Sequence, residues 1–257
     1  SETAVLGQRI TAIHGTSVTA DFNGSSRNSA HWGPRDFNER AGRFSQNGRL
    51  TYYTDGNTSE EDWAARGWHT QALPYHQDWA VQTDVNLPNN LTMEPDSMLA
   101  AGLFLVNQDD PDDNAEITLA RSNYAGQLSQ AFWADMDVND DEVLWEANGT
   151  DATLATVRFR WDASEEKLYY EYDENGPTDG FSWESLTSQF IDRNSTNWDM
   201  NSSSSFIIAL VTESEHKAVA TGDNVWLDNF KIEGTPPPPP VSAPVIISHP
   251  TSKTVPT

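Results

Sequence analysis

The stretch Val157–Asp173, VRFRWDASEEKLYYEYD, limits what this chain can become more than any other. Val157, Phe159 and Trp161 alternate with Arg158, Arg160 and Asp162. Beyond the polar turn Ala163–Glu166, Leu168, Tyr170 and Tyr172 alternate with Tyr169, Glu171 and Asp173. Successive side chains of a strand point to opposite faces, so a period of two in both arms predicts a half-buried antiparallel hairpin. Asn175-Gly176-Pro177 breaks the second arm.

The rest of the chain supplies partners for this ribbon. Alternation or continuous apolar character predicts strands at Ser17–Phe22, Arg49–Tyr53, Gly67–Ala72, Asp78–Leu87, Leu99–Val106, Glu116–Arg121, Ser129–Val138, Val143–Glu146, Phe206–Glu213 and Val225–Glu233. Leu99–Val106 is apolar on both faces, as a covered central strand requires. Only Thr58–Ala65 and Phe181–Ile191 read as short helices. With no helix between successive strands a parallel βαβ fold is disfavoured, and about a dozen short strands joined by polar turns predict an all-β, two-sheet antiparallel sandwich over residues 1–234.

Composition narrows the partners. The 257 residues carry 39 acidic and 15 basic side chains, a formal net charge of −24. Such a surface repels polyanions, so nucleic acid and strongly sulfated glycans are excluded as general partners. There is no cysteine, hence no disulfide, thiolate or cysteine–zinc chemistry. No apolar run approaches the ~20 residues of a membrane span. Residues 235–243 contain a run of five prolines after Thr235, which extends as a semi-rigid spacer, and 244–257 are too short to fold alone.

The order DFNG, NGRL with a Tyr strand, LPYHQDWAVQTDVNL, AAGLFLV, VRFRWDASEEKLYYEYD and VWLDNFKIEG resembles bacterial jelly-roll domains of the concanavalin A-like lectin/glucanase (laminin-G-like) fold. The tail PVIISHPTSKTVPT resembles the first strand of an immunoglobulin-like domain of bacterial surface proteins. Together these resemblances imply a jelly-roll domain of a secreted or cell-surface modular protein. The fold hosts carbohydrate-binding modules, glycoside hydrolases, polysaccharide lyases and adhesion domains, and does not choose among them.

Within that frame the candidate carbohydrate-binding residues are Trp133, Asp135 and Asp137, which alternate with core-facing Phe132, Ala134, Met136 and Val138, together with Arg158, Arg160, Tyr169 and Glu171 on the polar face of the opening hairpin. An aromatic plate for a pyranose, with carboxylates and guanidinium groups for its hydroxyls, is a sugar-binding set. The alternative is Arg–Glu pairing on a solvated sheet face, with Trp133 covered. The glucanases of this fold carry carboxylates at i, i+2 and a further position of one strand, with Glu at both ends. Asp135-Met136-Asp137 departs from that, although a retaining pair needs only two carboxyl groups about 5–5.5 Å apart. A lyase would need a Tyr or His base, for which His69, Gln71, Tyr75 and His76 carry no recognisable motif.

Asp135–Glu146 matches a helix-loop-helix calcium loop at positions 1, 3, 5 and 12, but Asp140 replaces the required glycine and strand-like flanks favour a β-hairpin. The family resemblance instead implies a structural Ca²⁺ held by Asp228 of LDNF, with Asp21 as partner. Asp109-Asp110-Pro111-Asp112-Asp113 reads as a solvated turn. Trp63 and Trp68 are candidates to flank a groove. The chain is thus expected to be a non-catalytic polysaccharide-binding module, with a glycan-degrading enzyme of the same fold or a calcium-dependent adhesion domain as alternatives.

Overall fold

The computed structural model describes residues 11–12, 18–20, 22–29, 31–33, 36–38, 42–54, 62–91, 93–191, 196–215 and 224–234. Asp21, the proline run and the immunoglobulin-like tail lie outside the described residues. The strands are β1 (Thr11–Ala12), β2 (Val18–Ala20), β3 (Phe37–Asn38), β4 (Arg43–Gln46), β5 (Leu50–Tyr53), β6 (Asp62–Ala65), β7 (Gln71–Pro74), β8 (Trp79–Asn86), β9 (Ser97–Asn107), β10 (Asn114–Tyr124), β11 (Gln127–Val138), β12 (Asp141–Gly149), β13 (Leu154–Asp162), β14 (Lys167–Asp173), β15 (Glu184–Phe190), β16 (Ser205–Glu215) and β17 (Trp226–Gly234). A 3₁₀ turn lies at Gly176–Thr178.

They form a two-sheet jelly-roll sandwich of the concanavalin A-like fold. The nine-stranded sheet runs β1-β7-β16-β9-β10-β11-β12, with β6 on β16 and β3 on β6. The eight-stranded sheet runs β15-β14-β13-β8-β17-β5-β4, with β2 on β17. Every pairing is antiparallel except the short β1–β7 contact. β9 and β16 lie inside the larger sheet and are buried on both faces, which is why they read as continuous apolar runs.

The inner faces meet in one core. Val157, Phe159 and Trp161 of β13 and Leu168, Tyr170 and Tyr172 of β14 are buried in it with Phe132, Ala134 and Met136 of β11. Phe132 stacks on Tyr172 across the two layers, with centroids 4.0 Å apart. Trp79, Trp161, Tyr75 and Phe206 pack as an aromatic cluster, and Trp79 and Trp161 donate their indole N–H groups to the carbonyls of Pro74 and Tyr75. Buried indoles need such acceptors. Elsewhere in the core, His69 is 1% exposed and packs among the rings of His31, Trp32 and Phe230. Burial and the nearby His31 lower its pKa to about 3.

Neither expected helix is found among the described residues. Residues 62–65 pair with Val211–Ser214 as β6, and 184–190 pair with β14 as an edge strand. Available sheet edges override weak helical propensity there.

Candidate functional site

β11 and β12 form a hairpin closed by Asn139 and Asp140, both left-handed at φ 53° and 64°. This is the mirror-image two-residue turn that matches strand twist, and Asx residues tolerate it. The segment matched to a calcium loop is therefore a β-hairpin. Its register shifts between Met136 and Asp137, where Val143 is the extra residue. The bulge has a consequence for the surface. Without it Trp145 would pair with core-facing Ala134; with it Trp145 stands opposite Asp135 on the outer face.

The outer face of the larger sheet is thereby organised in rows. One row carries Trp145 of β12, Asp135 of β11, Glu116 of β10 and Phe104 of β9, and Trp68 stacks on Phe104 at 6.0 Å. The next carries Trp133 opposite Thr118, which faces Gly102. Trp133 is half-buried against Met98, Ala100 and Ala120, outside the main core, and its ring lies 6.1 Å from that of Trp145, which is 54% exposed. Asp137 continues the face and accepts from Asn114 Nδ2 at 3.4 Å.

The carboxylates here are electrostatically loaded. Burial and then the charges of Asp137 and Glu142 raise the pKa of Asp135 to about 7, against a backbone N–H of Glu116 that favours its ionised form. Asp135 Oδ1 is buried and has no hydrogen-bond partner. Burial, with Asp140 and Asp141, also raises Asp137. A carboxyl group with one unsatisfied oxygen beside two indoles is a functional-site signature, because buried polar atoms are otherwise almost always bonded.

The remaining predicted residues lie elsewhere. Arg158, Arg160, Tyr169 and Glu171 are on the outer face of the smaller sheet, on the opposite side of the sandwich from Trp133, Asp135 and Asp137. They do not form one set with them. Arg158 Nε donates to Glu171 Oε2 at 2.7 Å and Arg160 Nε to Glu171 Oε1 at 3.0 Å. The guanidinium groups lie 3.7 Å over the rings of Trp183 and Tyr169 respectively, and Trp183 stacks on Phe181. Glu171 is thus shared between two arginines, each capped by an aromatic ring. This is the Arg–Glu pairing alternative, and it leaves Glu171 without an unbonded oxygen to offer a ligand. Beside it, an open pocket of about 320 Å³ is lined by Asp78, Ala80, Arg160, Asp162 and Glu233, among others.

Two residues of the larger face went unrecognised in the sequence. Glu116 lies in a strand that was expected, and its outward parity with Thr118 was readable. At i, i+2 and i+5 this strand has Glu116, Thr118 and Arg121, so only the first is acidic, and Arg121 turns inward to Gln130. Trp145 was hidden by the bulge.

Asp228 faces Asp84 across β17–β8 and accepts the Asn229 N–H at 2.8 Å. Both Asp84 oxygens are used, by Thr156 Oγ1 at 2.6 Å and Asn229 Nδ2 at 2.7 Å. Among the described residues no group of three or more acidic or histidine side chains is placed to hold a metal ion. Calcium wants six to eight oxygens, and Asp21, the expected partner of Asp228, lies outside the described residues. The acidic turn is also not simply solvated. Asp113 is 3% exposed and accepts the Asn139 N–H at 3.1 Å and Asn107 Nδ2 at 3.3 Å. It docks the β9–β10 turn onto the β11–β12 turn. His69, Gln71, Tyr75 and His76 do not converge on an open site, since His69 and Tyr75 are in the core.

No family model and no curated protein matches the chain. Solved structures do match. The "immunostimulatory antigen and pseudo beta-1,3-glucanase" Rv0315 of Mycobacterium tuberculosis superposes with a TM-score of 0.52 at 14% identity, over 85% of this chain and 98% of that one. The endo-1,3-beta-glucanase of Streptomyces sioyaensis gives 0.51 at 15% identity, over 86% and 96%. Lectin II from Ulex europaeus gives 0.47 at 8% identity, over 87% and 100%. Against Bacteroides ovatus xyloglucan PUL GH43B the chain covers only 38% of that chain's length. Identities this low speak to the fold alone.

Proposed function

We propose that this domain is a non-catalytic carbohydrate-binding module of a secreted or cell-surface modular protein, and that it holds a polysaccharide on the outer face of the larger sheet. The observation that carries this reading is the juxtaposition of Trp133 and Trp145 with the unbonded carboxyl oxygen of Asp135. One exposed and one half-buried indole offer an apolar surface to a pyranose, and neighbouring carboxylates accept hydrogen bonds from its hydroxyls. A structural neighbour on the same fold is named an endo-1,3-beta-glucanase, which makes a glycan the first ligand to try. The proline run, on this reading, spaces the module from a following immunoglobulin-like domain.

A glycan array followed by titration of the best ligand tests the assignment. Trp145→Ala and Trp133→Ala should each weaken binding tenfold or more with the fold retained. Binding that survives both substitutions would move the site away from this face.

A second reading rests on one observation, the direct opposition of Asp135 and Glu116 across β10–β11. Directly opposed residues have Cβ atoms about 4.5–5.5 Å apart, within reach of the spacing of a retaining carboxylate pair. A carboxyl group protonated near neutrality suits a general acid. Release of reducing ends from a bound glycan, lost in Asp135→Asn, would establish hydrolysis and end the binding-module reading.

A further inference from the structure

Resting on the glycan reading above, we propose that the ligand is an amino glycan, a polymer whose sugars carry free protonated amines of the glucosamine type, rather than a neutral or acidic polysaccharide. The argument is one of charge distribution between the two outer faces. On the smaller sheet Glu171 meets Arg158 and Arg160, and Glu233 meets Lys231, while Asp84 is held by Thr156 and Asn229. The larger sheet is poorer in cations. Across β9, β10, β11, β12 and β16 the single described cation is Arg121, and it turns to the inner face to bond Gln130. The outward positions beside the two indoles are Asp135, Asp137 and exposed Glu142, whose charges act on one another.

Three mutually repelling carboxylates beside an aromatic pair are a poor surface for a uronate or sulfate and an indifferent one for a neutral sugar. They suit a ligand cation. An ammonium over an indole face gains a cation–π contact, and the same ammonium donates charge-assisted hydrogen bonds to carboxylate oxygens. Exposed Glu142 and half-buried Asp137 present the accessible carboxylates, and Asp135, whose Oδ1 is buried without a donor, adds its carboxyl group beneath them. A sugar ring carrying the amine would occupy the indoles while its nitrogen meets the carboxylates, so one ligand class uses both halves of the face.

The test uses the whole 257-residue chain and four hexasaccharides measured by calorimetry: β-1,4-linked glucosamine, its fully N-acetylated counterpart, a neutral β-glucan and an oligogalacturonate. The glucosamine hexamer should bind at least tenfold tighter than the N-acetylated one, with affinity falling as salt rises, and the galacturonate should not bind. Asp135→Asn and the surface change Glu142→Gln should each erase most of that preference. Equal affinity for the acetylated or neutral oligomer, lost in Trp145→Ala, would keep the glycan site and overturn the amine specificity. Binding of the galacturonate would overturn it as well. No binding to any of the four, or a preference untouched by either carboxylate substitution, would likewise overturn the proposal, and the former would count against the glycan reading too.

Discussion

Replacing Asp135 by Asn should make the protein more stable at pH 8, and the gain should disappear on acidification. The unfolded carboxyl ionises near its ordinary value, about 4, whereas the folded one holds its proton to about 7 because it is buried beside Asp137 and Glu142. Between those values only the folded chain keeps the proton, so this group's contribution to stability is most favourable at low pH and is lost as pH rises toward 7. At about 1.36 kcal/mol per unit, a difference of about three units gives a ceiling near 4 kcal/mol for the penalty carried above pH 7. The amide removes the charge but leaves a polar atom unbonded, at a cost of about 1–3 kcal/mol, so the net gain at pH 8 is roughly 1–3 kcal/mol. Because wild-type Asp135 is largely protonated at pH 5, the advantage of the variant should shrink by about 2–3 kcal/mol between pH 8 and pH 5. The comparison must be a difference of two curves. His69 works in the opposite direction: its lowered pKa means the unfolded chain takes up a proton below about 6.5 that the folded chain refuses, so its contribution is lost as pH falls. That contribution is common to both proteins and cancels. Urea unfolding followed by tryptophan fluorescence at the two pH values measures both gaps. A variant less stable than wild type at pH 8, or a gap that does not change with pH, would refute the account of Asp135 as a strained charge.

Other consequences follow from single contacts. Glu171→Gln leaves two arginines sharing a neutral partner and should lower stability by about 1–3 kcal/mol in thermal unfolding, while glycan affinity stays unchanged, since that network faces away from the indole pair. Gly102→Ala should destabilise by about 3 kcal/mol or more, because its Cβ would lie 2.0 Å from the Ile117 carbonyl oxygen and 2.8 Å from Thr118 Cα, which are backbone atoms of the neighbouring strand; loss of soluble protein or a collapsed denaturation midpoint is the readout. The His69 ring should remain neutral down to pH 5, so its proton resonance should not titrate there by NMR; an inflection near 6.5 would contradict its burial.

The sequence made the strands legible, and with them the parity of each side chain. Alternation placed Phe132 and Met136 inward and Trp133 and Asp135 outward, and both statements hold. Alternation does not say which sheet a strand joins. The β11–β12 and β13–β14 hairpins follow one another in the chain, and their alternation alone does not separate the face of Trp133 from that of Arg158. Between them the chain changes layers within four residues. Thr150 N–H still bonds Gln130 of the larger sheet, while the Thr153 carbonyl already accepts from Leu87 after β8 of the smaller one. Gln130 Nε2 donates to the carbonyls of both Leu87 and Ala152 and so ties the crossing together. Nothing in the composition of 150–153 distinguishes a crossover from a hairpin loop. The Val143 bulge is similarly silent in sequence, yet it decides whether Trp145 is in the core or on the surface.

Those two hidden events divide the molecule's chemistry. The crossover takes Arg158 and Arg160 away from Asp135 and Asp137, and on the smaller sheet they find Glu171 instead. Had all of these strands shared one sheet, outward arginines and aspartates would have stood within reach of one another, and cross-strand pairing would have neutralised the face. Their separation leaves the carboxylates of the larger sheet facing each other with no described cation between them. Folding alone gives no reason to keep Asp135 in that position, since an amide there is expected to be more stable above neutral pH. Carboxyl groups perturbed by burial and by a specific charged neighbour cluster at functional sites, and Asp135 is such a group. The same logic ranks the two faces: the arginine–glutamate ladder is explained by its own contacts, and the indole–carboxylate face is not.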